Sequence, residues 1–274
     1  MGDVLRLVRA PNLLIAAAGV LAGSWVALER LAVPLPLLAV WAALSGVGLG
    51  AAGNVLNDLR DAPADRVNRP DRPLAAGRIA PGSAHLLVFL GTLGGLAAAA
   101  LVSGAQLVAG LGALAVMIVY SPLLKRRGLL GNGAVALVAG LPLFYGALAV
   151  GRPAAGIIPW ILAGWLHLVR EIVKDLADEP GDRAAGRRTL PITRGRERAV
   201  TIVLLLIGGF LAASYLLPWA AAYRDAYFAM AAIAQLLCVL AIHQLRRGRL
   251  APAAAALKGA MVAGVVALVA GRVA

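Results

Sequence analysis

Residues 54–66 read NVLNDLRDAPADR, and residues 171–183 read EIVKDLADEPGDR. The two phrases share one interval. Asn54, Asp58, Asp61 and Asp65 are four, three and four residues apart, and so are Glu171, Asp175, Asp178 and Asp182. At 100° per residue, such positions fall within about 60° of arc, a single stripe of a helix. In each phrase a proline, Pro63 or Pro180, stands two residues past the third polar group. Proline ends or kinks a helix, so the fourth acid of each set is expected on a turn rather than on the helix proper.

The surroundings make these phrases unusual. The 274 residues are 61% hydrophobic and 14% charged, with a mean hydropathy of +0.84. A soluble domain carries roughly a quarter charged residues. Only 13 residues are acidic, and nine fall in two windows: Asp58, Asp61, Asp65 and Asp71, then Glu171, Asp175, Asp178, Glu179 and Asp182. Long uncharged runs recur and mark a polytopic membrane protein. The first of them follows Arg6 and Arg9, but it is too long for a signal-peptide core and lacks a cleavage site, so it reads as a retained span. Cys238 is the single cysteine, which excludes a disulfide framework and a cysteine metal site and leaves a small packing residue.

Apolar periodicity predicts an all-α integral membrane protein of nine transmembrane helices, one membrane-embedded domain over residues 1–274. The spans are expected near 11–29, 33–57, 82–103, 105–123, 129–150, 153–176, 197–217, 225–245 and 251–272. Residues 79–124 hold no Asp, Glu, Lys or Arg over 46 positions, so two spans must meet there, near Ser103-Gly104-Ala105-Gln106. Arginine placement tests the parse. With the N-terminus in the cytoplasm, 21 of the 26 basic residues fall on the cytoplasmic side. Arg30, Arg152, Arg224 and Arg272 fall opposite, and Lys258 lies inside the last span. That bias follows the positive-inside rule and explains the net charge of +13 without a nucleic-acid partner. Both acidic phrases then lie at the cytoplasmic ends of spans two and six.

Carboxylates gathered on one stripe at membrane depth repel one another and lose hydration, so a positive partner must compensate. Hard oxygen ligands on two facing helices suit Mg²⁺, which retains waters and shares its shell with phosphate oxygens. His85, His167 and His243 are scattered and form no zinc pattern. Two acidic clamps would hold a diphosphate between them. Arg69, Arg72, Arg78, Lys125, Arg126, Lys174, Arg187 and Arg188 stand beside the clamps and suit phosphate oxygens. The plainer reading is loop charge that keeps one face wet. The duplicated interval, with proline in register, argues against it. For Arg246, Arg247 and Arg249 the plain reading holds, as topology determinants.

The run Asn57-Asp58-x-x-Asp61-x-x-x-Asp65, continued by NRPDRPLAAGRI, resembles the first aspartate-rich motif of the UbiA superfamily of intramembrane prenyltransferases. DLADEPGD, residues 175–182, resembles the second. YSPLLKR with Gly131-Asn132, and RAPN at residues 9–12, resemble two further family segments. The resemblance covers nearly the whole chain. It implies a UbiA-type bundle with a central cavity capped on the cytoplasmic side, where Mg²⁺ coordinates the diphosphate of an allylic prenyl donor. Matched residue by residue, the implied catalytic acids are Asp58, Asp61, Asp65, Asp175, Asp178 and Asp182. The implied metal ligands are Asn54, Asp58, Asp61, Asp65, Asp178 and Asp182, with Asn54, Asp58, Asp178 and Asp182 foremost. Lys125 and Arg72 are expected on the diphosphate, and Arg69, Lys174, Asn132, Asn12 and Glu171 around the substrates. A second reading pairs Glu171 with Lys174 or Arg170. Tyr120 either faces a developing cation with its ring or belongs to the interfacial aromatic belt. His167 shares the stripe of Glu171 and faces the cavity or is buried and hydrogen-bonded. Arg60 stands where relatives often carry an aromatic residue, and Ala75-Ala76 where many carry Pro-Ser; the first bears on metal geometry.

Within the family, REIVKDLADEPGDRAAGRRTLPI and NDLRDAPADRVNRPDRPLAAGRI are most similar to the archaeal branch that makes digeranylgeranylglyceryl phosphate. That resemblance implies geranylgeranyl diphosphate as donor and geranylgeranylglyceryl phosphate as acceptor, in ether-lipid synthesis. The alternatives are an aromatic acceptor such as 4-hydroxybenzoate or another quinone, chlorophyll or haem precursor, and a non-enzymatic transporter. A transporter would need polar residues near mid-span, where this chain has almost none.

Overall fold

The computed structural model describes residues 2–31, 36–119, 128–184 and 186–273. Among them the chain is all helix: α1 (Gly2–Leu7), α2 (Ala10–Leu28), α3 (Leu37–Asn68), α4 (Pro81–Val102), α5 (Gly104–Val119), α6 (Leu129–Ala149), α7 (Pro153–Ala184), α8 (Leu190–Arg194), α9 (Arg196–Ala220), α10 (Asp225–Arg246) and α11 (Leu250–Val273). Eight of these are long and apolar enough to cross a membrane, and α5 is an apolar helix of 16 residues. The 46-residue uncharged run breaks where expected. Ser103 is extended, and its Oγ accepts the Gln106 N–H at 3.0 Å, an N-cap that starts α5.

Two expectations need correction. Helices α3 and α7 do not stop near residues 57 and 176. They run through Pro63 and Pro180, to Asn68 and Ala184, so all four polar groups of each phrase are helical. A proline removes one backbone hydrogen bond, and what matters is whether the orphaned carbonyl finds another donor. For Pro180 that carbonyl belongs to Leu176, and Arg196 Nη1 donates to it at 3.1 Å. A second helix supplies the missing rung.

Glycine lets the bundle close. A Cβ built on Gly146 would strike the Val20 carbonyl, and one on Gly23 the Leu143 carbonyl, so α2 and α6 meet backbone to backbone. Gly48 and Gly91 do the same for α3 and α4, where a Cβ on either would sit 2.8 Å from the other's carbonyl oxygen. Such small-residue contacts bring membrane helices together where lipid removes the usual hydrophobic drive. A larger apolar core joins α7, α9, α10 and α11 around Leu166, Ile172, Ile207, Phe210 and Leu257. Helix α4 lies outermost and exposes Leu86, Phe89, Leu90 and Leu93.

Charge also organises the end remote from the acidic phrases. Arg152 donates to the Ala27 carbonyl at 3.0 Å, and Arg272 to the Ala221 carbonyl at 3.0 Å. Both satisfy carbonyls that helix ends leave without partners. Arg272 also pairs with Glu29 at 3.0 Å and lies 4.3 Å over the Tyr223 ring, so α2, α9 and α11 are tied at one point.

Gly146→Leu is expected to destabilise the bundle by about 3 kcal/mol or more, since the inserted side chain meets main chain that has no room to yield. A Cβ built on Gly94 meets nothing within 4 Å, so Gly94→Leu serves as the control. Thermal unfolding in detergent measures both; equal midpoints would refute the backbone contact.

Candidate active site

The ends of α3 and α7 face one cavity of about 1270 Å³. From α3 it is lined by Asn54, Asn57, Asp61 and Asp65, and from α7 by Glu171, Asp175, Asp178 and Asp182. The one-stripe arithmetic therefore holds in full on α7 and for three of its four positions on α3. Arg69 and Arg72, just beyond α3, and Lys174 and Arg187 bring cations to the same wall. Deeper, the lining turns apolar through Val135, Val138, Leu166, Phe210, Val265 and Leu268. Asn12, Asn132 and His167 also face this space.

The acids are held individually. Arg72 Nη1 contacts Asp65 Oδ2 at 2.6 Å and Asp58 Oδ1 at 3.3 Å, bridging two turns of α3. Arg9 Nη2 holds the same Asp58 oxygen at 2.7 Å. Arg9 has the left-handed conformation, φ 57°, between α1 and α2, a costly geometry for a residue with a Cβ. On α7, Arg187 Nη1 meets Asp182 Oδ1 at 2.6 Å. Asn132 of α6 donates to Asp175 Oδ2 at 2.8 Å and so orients that carboxylate. Asn57 donates to Asp61 at 3.3 Å. Asp178 is exposed to the cavity and has no hydrogen-bond or ion-pair partner among the described residues.

Several expected roles shift. Asp58 is 4% exposed and is not among the lining residues; it supports Arg9 and Arg72 from below the surface. Asn54 lines the cavity, but its Nδ2 is tied to the Val8 carbonyl at 2.9 Å. Glu171 pairs with Lys174, both its oxygens 2.9 Å from Nζ, and more loosely with Arg170 at 3.6 Å. Arg78 is engaged by Asp3 at 3.0 Å and stands off the cavity wall. Arg60 donates to the Ile118 carbonyl at 2.6 Å, near the end of α5, and so leaves the carboxylate geometry undisturbed. Tyr120, Lys125 and Arg126 lie outside the described residues.

Two residues quoted in the motifs were given no site role from the sequence. Arg9 was quoted only as part of a helix entry, and its pairing with Asp58 across 49 residues has no local signal. Asn57 lies one residue before Asp58, off the centre of the stripe, yet its Oδ1 is buried without a hydrogen-bond partner among the described residues. An unsatisfied buried oxygen is costly unless something cationic or a donor meets it.

The donor set can be tested against a divalent cation. It consists of oxygen alone: five aspartates, one glutamate and an orphaned amide oxygen around one cavity. Among the described residues, no three of His, Cys, Asp or Glu converge into a ready cage. That combination fits Mg²⁺, which takes one or two carboxylates and completes its shell with water and phosphate oxygens, and does not fit a closed structural site.

Comparison with known proteins agrees with this layout. The model of the UbiA prenyltransferase family matches residues 16–265. A digeranylgeranylglyceryl phosphate synthase of Methanopyrus kandleri is 38% identical over 203 residues, 74% of this chain and 73% of that protein. One of Halobacterium salinarum is 37% identical over 215 residues, covering 77% and 76%. Among solved structures, one of a digeranylgeranylglyceryl phosphate synthase superposes with a TM-score of 0.82 at 24% identity, covering 99% of this chain and 98% of that one. A UbiA homologue of Archaeoglobus fulgidus bound to GPP and Mg²⁺ superposes with a TM-score of 0.70 at 20% identity, covering 97% and 99%. The chain belongs to the UbiA prenyltransferase family.

Proposed function

We propose that this protein transfers a geranylgeranyl group from geranylgeranyl diphosphate to geranylgeranylglyceryl phosphate, forming an ether bond of an archaeal-type lipid. One observation carries the reading: carboxylates of two helices and a set of guanidiniums meet on the wall of a single cavity whose depth is apolar. The names of the curated relatives and the diphosphate and Mg²⁺ of the fold neighbour support it.

Asp61, Asp65, Asp178 and Asp182, with Asn57 Oδ1, would hold Mg²⁺, which would supply neutralisation of the charge that develops on the leaving diphosphate. Arg72 and Arg187 aim Asp65 and Asp182, and their remaining N–H groups suit phosphate oxygens. Asn132 fixes Asp175 in one orientation. The apolar depth receives the prenyl tail and keeps water from the allylic centre as its C1–O bond breaks, the electron pair leaving with the diphosphate. The acceptor hydroxyl oxygen then bonds to C1, and its proton departs with the released products. We further propose nine crossings, α5 being the ninth, with the N-terminus and the acidic phrases on the cytoplasmic side. The arginine bias and the position of the acids at one end of α3 and α7 support that orientation.

Purified protein with labelled geranylgeranyl diphosphate and Mg²⁺ is expected to prenylate geranylgeranylglyceryl phosphate in preference to 4-hydroxybenzoate. Chelation by EDTA abolishes turnover and added Mg²⁺ restores it. Asp61→Ala and Asp182→Ala each lower kcat by about a hundredfold or more, the scale of losing an electrostatic contact to the departing group. Full activity in both variants rejects the mechanism. Topology is checked in a Cys238→Ala background carrying Ala76→Cys or Ala154→Cys, both exposed positions. Impermeant maleimide is expected to reach residue 76 from the cytoplasmic side and residue 154 from the other; labelling from the same side would show that α5 does not cross.

A further inference from the structure

A smaller cavity of about 450 Å³ lies between α7 and the start of α11. Arg69, Arg170, Lys174, Asp178 and Lys258 line it, and all five also line the main cavity, so the two spaces share a charged wall. Lys258 is the informative member. It sits eight residues into α11, about 12 Å from the helix start at 1.5 Å per residue, with only Arg272 as another charge in that helix. No hydrogen bond or ion pair joins it to a described residue. Arg170 is also incompletely used: its Nε is buried without a hydrogen-bond partner among the described residues, and Glu171 is 3.6 Å from its Nη1 and closer to Lys174.

Four cations thus surround a space with two acids near it, Glu171 and Asp178. Lysine inside a span is costly, and one that snorkels to the interface points away from the bundle rather than into a groove. An orphaned guanidinium nitrogen beside it adds a directional donor. The surplus calls for an anion of about two charges, and the diphosphate already has its own cations at Arg72 and Arg187.

We infer that this groove seats the phosphomonoester of the lipid acceptor, with Lys258 and Arg170 as its principal contacts. A phosphomonoester carries about −1.5 to −2 charges at pH 7, which matches the surplus. Held there, the acceptor presents its free hydroxyl across the shared wall to C1 of the donor. A neutral or aromatic acceptor leaves the cations unpaired, so the groove selects for phosphate. The inference rests on the reading above, that the acceptor is a phosphorylated lipid.

The test compares geranylgeranylglyceryl phosphate with geranylgeranylglycerol, which lacks the phosphate, in nanodiscs with and without anionic lipid. For Lys258→Gln, the KM for the phosphorylated acceptor rises about tenfold or more, as expected for a lost charge-assisted contact, while the KM for geranylgeranyl diphosphate reports an intact donor site. The discrimination between the two acceptors shrinks by the same factor, and Lys258→Arg restores most of it. Arg170→Gln gives the same pattern and provides a second route if Lys258→Gln misfolds. An unchanged acceptor KM, or an equal loss on both acceptors, overturns the inference. So does loss of anionic-lipid dependence with discrimination intact, because the groove would then hold a bilayer headgroup. Wild-type protein that ignores both lipid acceptors and prenylates 4-hydroxybenzoate sinks the underlying reading instead, before any variant is compared.

Discussion

Arg72 holds Asp65 at 2.6 Å and Asp58 at 3.3 Å, and Arg187 holds Asp182 at 2.6 Å; the remaining architecture depends on these pairings. A bundle this apolar cannot keep several carboxylates at one cavity wall without cations beside them, since each unpaired buried charge costs several kcal/mol. Both arginines lie within a few residues of the acids they serve, so each helix end brings its own neutralisation. Arg9 adds a bond from outside the phrase and accepts a strained backbone to make it. Removing one partner of such a pair costs more than removing both, so these arginines and aspartates constrain one another as units.

The glycine contacts determine where the open space lies. α2 and α6, and α3 and α4, touch main chain to main chain, so the volume they do not occupy collects in the middle of the molecule. Residues of α2, α3, α5, α6, α7, α9, α10 and α11 face that volume, and α4 contributes none. The charged mouth and the apolar depth of the cavity are two ends of the same helices, a direct outcome of polar residues being confined to the last turns of α3 and α7.

Much of this was legible in the sequence because its signals were local. A 3.6-residue period places Asn54, Asp61 and Asp65 on one wall, and the same interval places Glu171, Asp175, Asp178 and Asp182 opposite. The uncharged run had to break, and Ser103 could both end one helix and cap the next. What the sequence did not show concerns partners remote in the chain. Helix α7 survives Pro180 because Arg196 reaches Leu176, which no window around the proline reveals. Asp58 ranked with the foremost ligands on motif grounds, yet it faces Arg9 and stands off the cavity, because burial distinguishes equivalent positions on a stripe only after the neighbours are placed. Asn57 was given no role because it lies about 40° outside the stripe that the four polar groups define, on the side away from Asp58.

The segment after the second acidic phrase is fastened at both ends. Near its start Arg187 grips Asp182, and at its finish Arg196 grips Leu176 and approaches Glu179 at 3.5 Å. Short α8 lies between these fastenings. The number of residues from Asp182 to Arg196 is therefore a measured span: an insertion or deletion there would pull one fastening loose and swing the carboxylates it steadies.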